Sequence, residues 1–157
     1  YYEDYVKLSK ENFANNHPGG LLGKMLNLQV KDLMTPLPSC PLLSDDQLLK
    51  DAIISMTQFP VGGCAICDKD NKLTGIIVEG DIRRTFSKAN SQGLETKISE
   101  VMNKAPLSIK ADDLAINALR LMENREREVH ILPVISKDNV FMGILRLHDL
   151  LKEGFKS

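Results

Sequence analysis

The sequence predicts a mixed α/β (α+β) module built from two β-α-β-β-α repeats that pack about a pseudo-twofold axis. A string of short motifs recurs in the same order at a nearly constant offset of about 67 residues, as a duplicated supersecondary unit requires. Within each copy the apolar pattern changes from helical period to short continuous runs bounded by turn residues. Each copy, at about 55 to 60 residues, is too small to bury much core alone, so the two are expected to share one.

Val30-Lys31-Asp32-Leu33-Met34 matches Ile98-Ser99-Glu100-Val101-Met102, and Pro36 and Pro106 follow. Asp46 to Met56 matches Asp112 to Met122, with Leu48, Ala52 and Met56 opposite Leu114, Ala118 and Met122. Gly75-Ile76-Ile77 matches Gly143-Ile144-Leu145, and Gly80-Asp81-Ile82 matches His148-Asp149-Leu150.

In the first copy Ser44 to Gln58 reads as a helix. Ser44 and Gln47 have capping-box spacing, and Leu48, Leu49, Ala52, Ile53 and Met56 make one apolar stripe. Pro60-Val61-Gly62-Gly63 breaks it before a buried strand, Cys64 to Cys67. Asp68 to Asn71 is a polar turn, Leu73 to Val78 a second strand, and Asp81 opens a short helix through Phe86. The second copy gives a helix from Asp112 to Asn124, strands Val129 to Ile135 and Phe141 to Leu145, a turn at Lys137 to Asn139, and a helix opening at Asp149. Arg125 to Glu128 reads as a solvated loop. The expected organisation is a head and linker over 1–29, the first repeat over 30–87, a polar linker over 88–97 and the second repeat over 98–157. A cleft lined by equivalent ends of both copies is the expected ligand site.

A formal net charge of −1, with acids and bases interspersed, excludes a general attraction to nucleic acid or anionic membrane. No apolar run approaches the roughly 20 residues that span a bilayer. The head Tyr1-Tyr2-Glu3-Asp4-Tyr5 has none of the segments of a secretory signal, which points to the cytoplasm. The chain begins at Tyr1 rather than Met and reads as a piece of a longer protein. Cys40, Cys64 and Cys67 are an odd set, as expected of reduced thiols. Cys64 and Cys67 have C-x-x-C spacing, but in a strand residues three apart point to opposite faces. No second pair stands near to complete four zinc ligands, so no metal site is expected. The methionines at matched positions read as packing.

The pattern V-x-D-L-M-T-P, helix, strand, turn, G-I-x-x-x-x-D resembles the CBS domain, here as a tandem pair from Val30 to Gly154. That resemblance implies a small-molecule sensor that binds an adenine nucleotide or related anion between the repeats, needs no cofactor and dimerises through them. Glu11 to Lys24, which contains His17-Pro18-Gly19-Gly20, resembles the stretch joining a sugar isomerase (SIS) domain to the CBS pair in arabinose 5-phosphate isomerases. Gly80-Asp81-Ile82-Arg83-Arg84 resembles their G-D-L-R-R segment. The resemblance implies a parent that interconverts ribulose 5-phosphate and arabinose 5-phosphate for lipopolysaccharide or capsule. A cytidine-activated acidic sugar, as a pathway product, is then a sensible feedback ligand.

The resemblance gives His17 a catalytic role in such a parent, where an imidazole moves protons near neutral pH. Without an SIS domain it is an exposed turn residue, and the fragment alone is not expected to turn over substrate. The CBS resemblance puts Asp81 and Asp149 at the position whose carboxylate usually accepts ribose hydroxyls; either also makes a good helix N-cap with no ligand at all. Val78 and Arg146 stand where nucleotide-binding copies usually carry Thr or Ser. A valine cannot donate to phosphate, whereas the Arg146 guanidinium can. Arg83 and His148 complete the candidate anion contacts. The alternatives are a structural oligomerisation module that binds nothing, and an enzyme fragment with residual isomerase activity.

Overall fold

The computed structural model describes residues 26–123 and 129–155. His17, Gly19, Gly20 and the Arg125 to Glu128 loop lie outside them. The first unit runs β2 (Leu42–Leu43), α2 (Leu49–Gln58), β3 (Gly63–Cys67), β4 (Leu73–Val78) and α3 (Glu79–Ala89). The second runs β5 (Ile109–Lys110), α5 (Ala115–Glu123), β6 (Ile131–Ile135), β7 (Phe141–Arg146) and α6 (Leu147–Lys152). Short leaders precede them: α1 (Val30–Leu33) and β1 (Thr35–Pro36) before the first unit, α4 (Ile98–Val101) before the second. The expected β-α-β-β-α order therefore holds in both copies.

Both sheets have the same plan: a parallel leading strand, then an antiparallel hairpin. The first has order β2-β3-β4 and the second β1-β7-β6-β5. The additional strand shows how the halves are joined. β1 leaves the first unit and pairs with the second, Thr35 opposite Ile144 and Pro36 opposite Gly143. Its counterpart is the bridge of Asn103 with Ile76, where each residue's N–H donates to the other's carbonyl at 2.9–3.1 Å.

The leaders are exchanged in the same manner. Val30 of α1 is fully buried with Ala118, Leu119 and Leu132 of the second unit. Ile98 of α4 is fully buried with Leu49, Ile66 and Ile77 of the first. Removing an aliphatic side chain of this size from water contributes roughly 1.5–3 kcal/mol. Neither unit closes its core without the other's leader. A third cluster lies between the sheets, where Ala65, Cys67 and Ile76 meet Ile131, Phe141 and Ile144. The hairpin turns also cross-bond: Leu73 N–H donates to Asn139 C=O (3.0 Å) and Phe141 N–H to Asn71 C=O (2.9 Å). Both asparagines hold positive φ, 62° and 67°, which Asn tolerates better than most residues.

This exchange displaces several expected boundaries. The first long helix starts at Leu49 rather than Ser44. Ser44 does bond Gln47, its N–H donating to Oε1 at 3.0 Å, but that contact closes an isolated turn. Leu48 is extended and bridges Lys97, while Ile98 N–H donates to Gln47 C=O. The second leader claims backbone groups that the first helical turn would have used. The same holds at Ala115, reached three residues after Asp112, where Leu114 bridges Gln29. Elsewhere the shifts are small. The helix expected from Asp81 to Phe86 spans Glu79–Ala89, and the last begins at Leu147. Most of the expected linker is a 3-10 segment, Asn90–Glu95, folded back on α3 with Gly93 against the Phe86 ring.

Candidate functional site

A cleft of about 580 Å³ opens between the units at the C-terminal end of β4. Its floor is apolar: Ile76 and Val78 from β4, Ile131 and Pro133 from β6, Leu107 and Val129 from the adjoining segments. Polar groups stand at the rim: Glu79, Asp81 and Arg84 of α3, with Asn103 and His130 from the other unit. Walls from both repeats therefore meet in one site.

Asp81 is the third residue of its helix. Its Oδ2 accepts the Val78 N–H at 2.9 Å, while Oδ1 meets Nη2 of Arg84. The same device recurs in three other helices, where Asp32, Asp51 and Asp149 accept the N–H of Gln29, Leu48 and Arg146. One oxygen of Asp81 is thus committed to capping and the other faces a guanidinium. That partner is exchangeable, because the Arg84 side chain is 60% exposed and such pairs contribute little in water.

The second copy is arranged differently. Asp149 accepts both Nε (3.0 Å) and Nη2 (2.7 Å) of Arg146, one on each carboxylate oxygen, beside the cap bond from the Arg146 N–H. The hydrogen bond to Asp149 raises the guanidinium's affinity for its proton, only partly opposed by burial. A separate, shallower depression of about 610 Å³ adjoins the cleft and is walled by Arg146, His148, His130 and Leu151, but Asp149 is not in its wall.

Of the residues singled out from sequence, Asp81 and Val78 meet in the cleft, while Arg146 and His148 meet in the shallow depression. Asp149 is locked to Arg146. Arg83 is exposed and lines neither, whereas its neighbour Arg84 lines the cleft. Helix period held the signal: residues three apart share a face and residues two apart do not. His130, Asn103 and Leu107 come from the opposite unit, and within-repeat reading gives no signal for them. Their place depends on the leader exchange.

Among the described residues no group of three or more acidic, His or Cys side chains is arranged to hold a metal ion, and no helix is long and apolar enough to cross a membrane. The cysteines are core residues. In β3, Cys64 packs with α2 and Ile98 while Cys67 faces the inter-sheet cluster, so the two point away from each other. Burial pushes both thiols up to about 12, and Cys40 to about 11.

A duplicated, leader-exchanged β-α-β-β-α pair with a ligand-sized cleft between its halves defines a repeat-pair module. The CBS domain family matches the chain twice, over residues 30–88 and 98–156, and the chain belongs to that family as a tandem pair. The chain is similar to arabinose 5-phosphate isomerase KdsD of Yersinia pestis, 35% identical over 93% of this chain and 43% of that protein. It is also similar to KdsD of Salmonella typhimurium, 37% identical over 92% and 43%. The chain spans less than half the length of these relatives. In structure it resembles the AMP complex of CBSX2, a CBS-pair protein of Arabidopsis thaliana. The TM-score is 0.68 at 22% identity, covering 80% of this chain and 94% of that one.

Proposed function

We propose that the chain is the regulatory, ligand-sensing CBS pair of a cytoplasmic sugar-phosphate isomerase. In this reading the first-copy cleft binds a nucleotide or nucleotide-sugar and passes its occupancy to an attached SIS domain. The cleft itself carries the proposal. Its apolar floor suits the flat face of a base, and the exposed Arg84 could turn from Asp81 Oδ1 to a phosphate and leave that oxygen to ribose hydroxyls. Binding of AMP by CBSX2 supports the ligand class. The similarity to KdsD supports an arabinose 5-phosphate isomerase parent. In this reading that parent interconverts arabinose and ribulose 5-phosphates for lipopolysaccharide or capsule, and His17 serves its catalytic site.

A thermal-shift titration with AMP, ADP, ATP and a cytidine-activated acidic sugar tests this. Ligand at a hundred times its Kd adds about 2.7 kcal/mol, which raises Tm by roughly 5–10 °C in a chain of this size. The rise should disappear in Asp81→Ala. A flat response to the whole panel by a folded protein would reject the reading. A second reading, an oligomerisation module without ligand, rests on the occupied Asp149 and on exposed apolar side chains such as Ile54 and Leu151, 64% and 43% accessible. It requires a stable dimer and no saturable ligand.

A further inference from the structure

The two repeats are close copies in backbone, yet their equivalent ligand positions are not alike. Ile76, Val78, Asp81 and Asn103 in the first cleft correspond under the pseudo-twofold to Ile144, Arg146, Asp149 and Thr35. The strand pairings fix this correspondence: Ile76 bridges Asn103 as Ile144 pairs with Thr35. At the first position a short apolar side chain leaves the carboxylate facing open space and the exposed tip of Arg84. At the second, a long cationic side chain from the strand end folds onto the carboxylate and takes both oxygens at 2.7 and 3.0 Å. The Arg146 side chain is 34% exposed and Asp149 14%, so the pair is drawn inward, unlike Arg84 at 60%.

From this asymmetry we infer that Arg146 is an internal occupant of the second ligand position, so that the pair takes one nucleotide-type ligand per chain. The proposal rests on reading the first cleft as the ligand site. The guanidinium takes up both carboxylate oxygens that ribose hydroxyls would otherwise use, and the depression of about 610 Å³ beside it stays open without the Asp149 carboxylate in its wall. A side-on pair with a bond to each oxygen is harder to displace than a single exposed contact. Arg146 is therefore a stoichiometry-determining residue, and its equivalent in the first copy, Val78, is the permissive one.

Two reciprocal substitutions test it, each copying the residue that the same fold already carries at the other position. Isothermal calorimetry with AMP, ADP, ATP and a cytidine-activated acidic sugar should give one binding event per chain for the wild type. Arg146→Val should give two, and Val78→Arg none. Adding Asp149→Ala to Arg146→Val should remove the gained event and so locate it. Arg146→Ser serves if the valine variant does not melt cooperatively, because the cap bond comes from the backbone N–H and survives either change. Two events in the wild type would overturn the proposal. So would an Arg146→Val variant that binds no more than the wild type, including no binding by either. A silent wild type with one event in Arg146→Val would instead sink the first-cleft reading and leave the role of Arg146 standing.

Discussion

Replacing Gly143 by alanine probes the strand exchange that joins the repeats. A Cβ at Gly143 would point into the carbonyl oxygen of Thr35, with Met34 Sδ at 3.1 Å and the Thr35 carbonyl carbon at 3.2 Å. The obstruction is backbone, so no rotamer change relieves it; β1 must move off β7. Forced overpacking of this kind costs about 1–3 kcal/mol, and weakening the Thr35–Ile144 pairing adds about 1 kcal/mol for a backbone hydrogen bond. Against this stands about 0.5–1 kcal/mol regained by stiffening the unfolded chain. The net expectation is a loss of about 1–3.5 kcal/mol, or roughly 3–12 °C in Tm for a chain of this length.

Gly80 supplies the control. It lies in helix α3, and its added Cβ would meet only the flexible tip of Arg84 at 3.3 Å. Gly80→Ala should therefore be neutral or stabilising by up to about 1 kcal/mol. Gly75→Ala should fall between the two, because its nearest obstacle is the mobile Met102 Sδ at 2.7 Å, with Asn103 O at 3.0 Å. Urea denaturation of the three variants reads the order directly. A Gly143→Ala protein with the wild-type midpoint, or a Gly80→Ala protein as unstable as Gly143→Ala, would refute the reasoning.

Asp51→Ala should cost about 1 kcal/mol through the lost bond to the Leu48 N–H, measured by thermal melting, with ligand binding unchanged. Phe141→Ala should cost about 3–5 kcal/mol, since the ring is 1% exposed in the inter-sheet cluster; denaturation checks it, and a loss under 1 kcal/mol would mean that the cluster is not packed. The thiols give a pH dependence. Their folded values are raised from an ordinary 9 to about 11 for Cys40 and about 12 for Cys64 and Cys67. A raised value means that the unfolded chain releases the proton first, so this contribution to stability is complete below pH 9 and is lost as pH climbs from 9 towards 12. Stability from urea midpoints should fall across that window, and less steeply in Cys64→Ala. At pH 8 all three thiols should resist a colourless-to-yellow disulfide reagent until the chain unfolds.

What the sequence made legible, and what it did not, follows from where each signal resides. The duplication and the strand pairs are readable because each is written in local order. Neither Asp81 nor Asp149 is the N-cap that its residue type suggests: each stands third in its helix and accepts the backbone N–H three residues back, and in Asp149 both oxygens are also held by Arg146. The helix starts at Leu49 and Ala115 were misplaced because the Ser44 turn is a sound local signal that tertiary pairing with the Lys97 and Gln29 leaders overrides. The reason for glycine at 75 and 143 was likewise hidden, since the atoms that forbid a side chain belong to the other repeat. The cleft's far wall, with His130, Leu107 and Asn103, was illegible on the same ground. Arg84, three residues after Asp81, shares its helix face and lines the cleft, whereas Arg83 does not.

Methyl NMR reads whether the first-copy cleft is the sensing site. With isoleucine methyls labelled, a titration with AMP, ADP, ATP and a cytidine-activated acidic sugar should shift Ile76 and Ile131 in the cleft floor. Ile54, exposed on helix α2, should stay in place. Saturable shifts confined to the floor would establish the site. No shift with any of the four, or shifts at Ile54 with Ile76 and Ile131 unmoved, would contradict the claim.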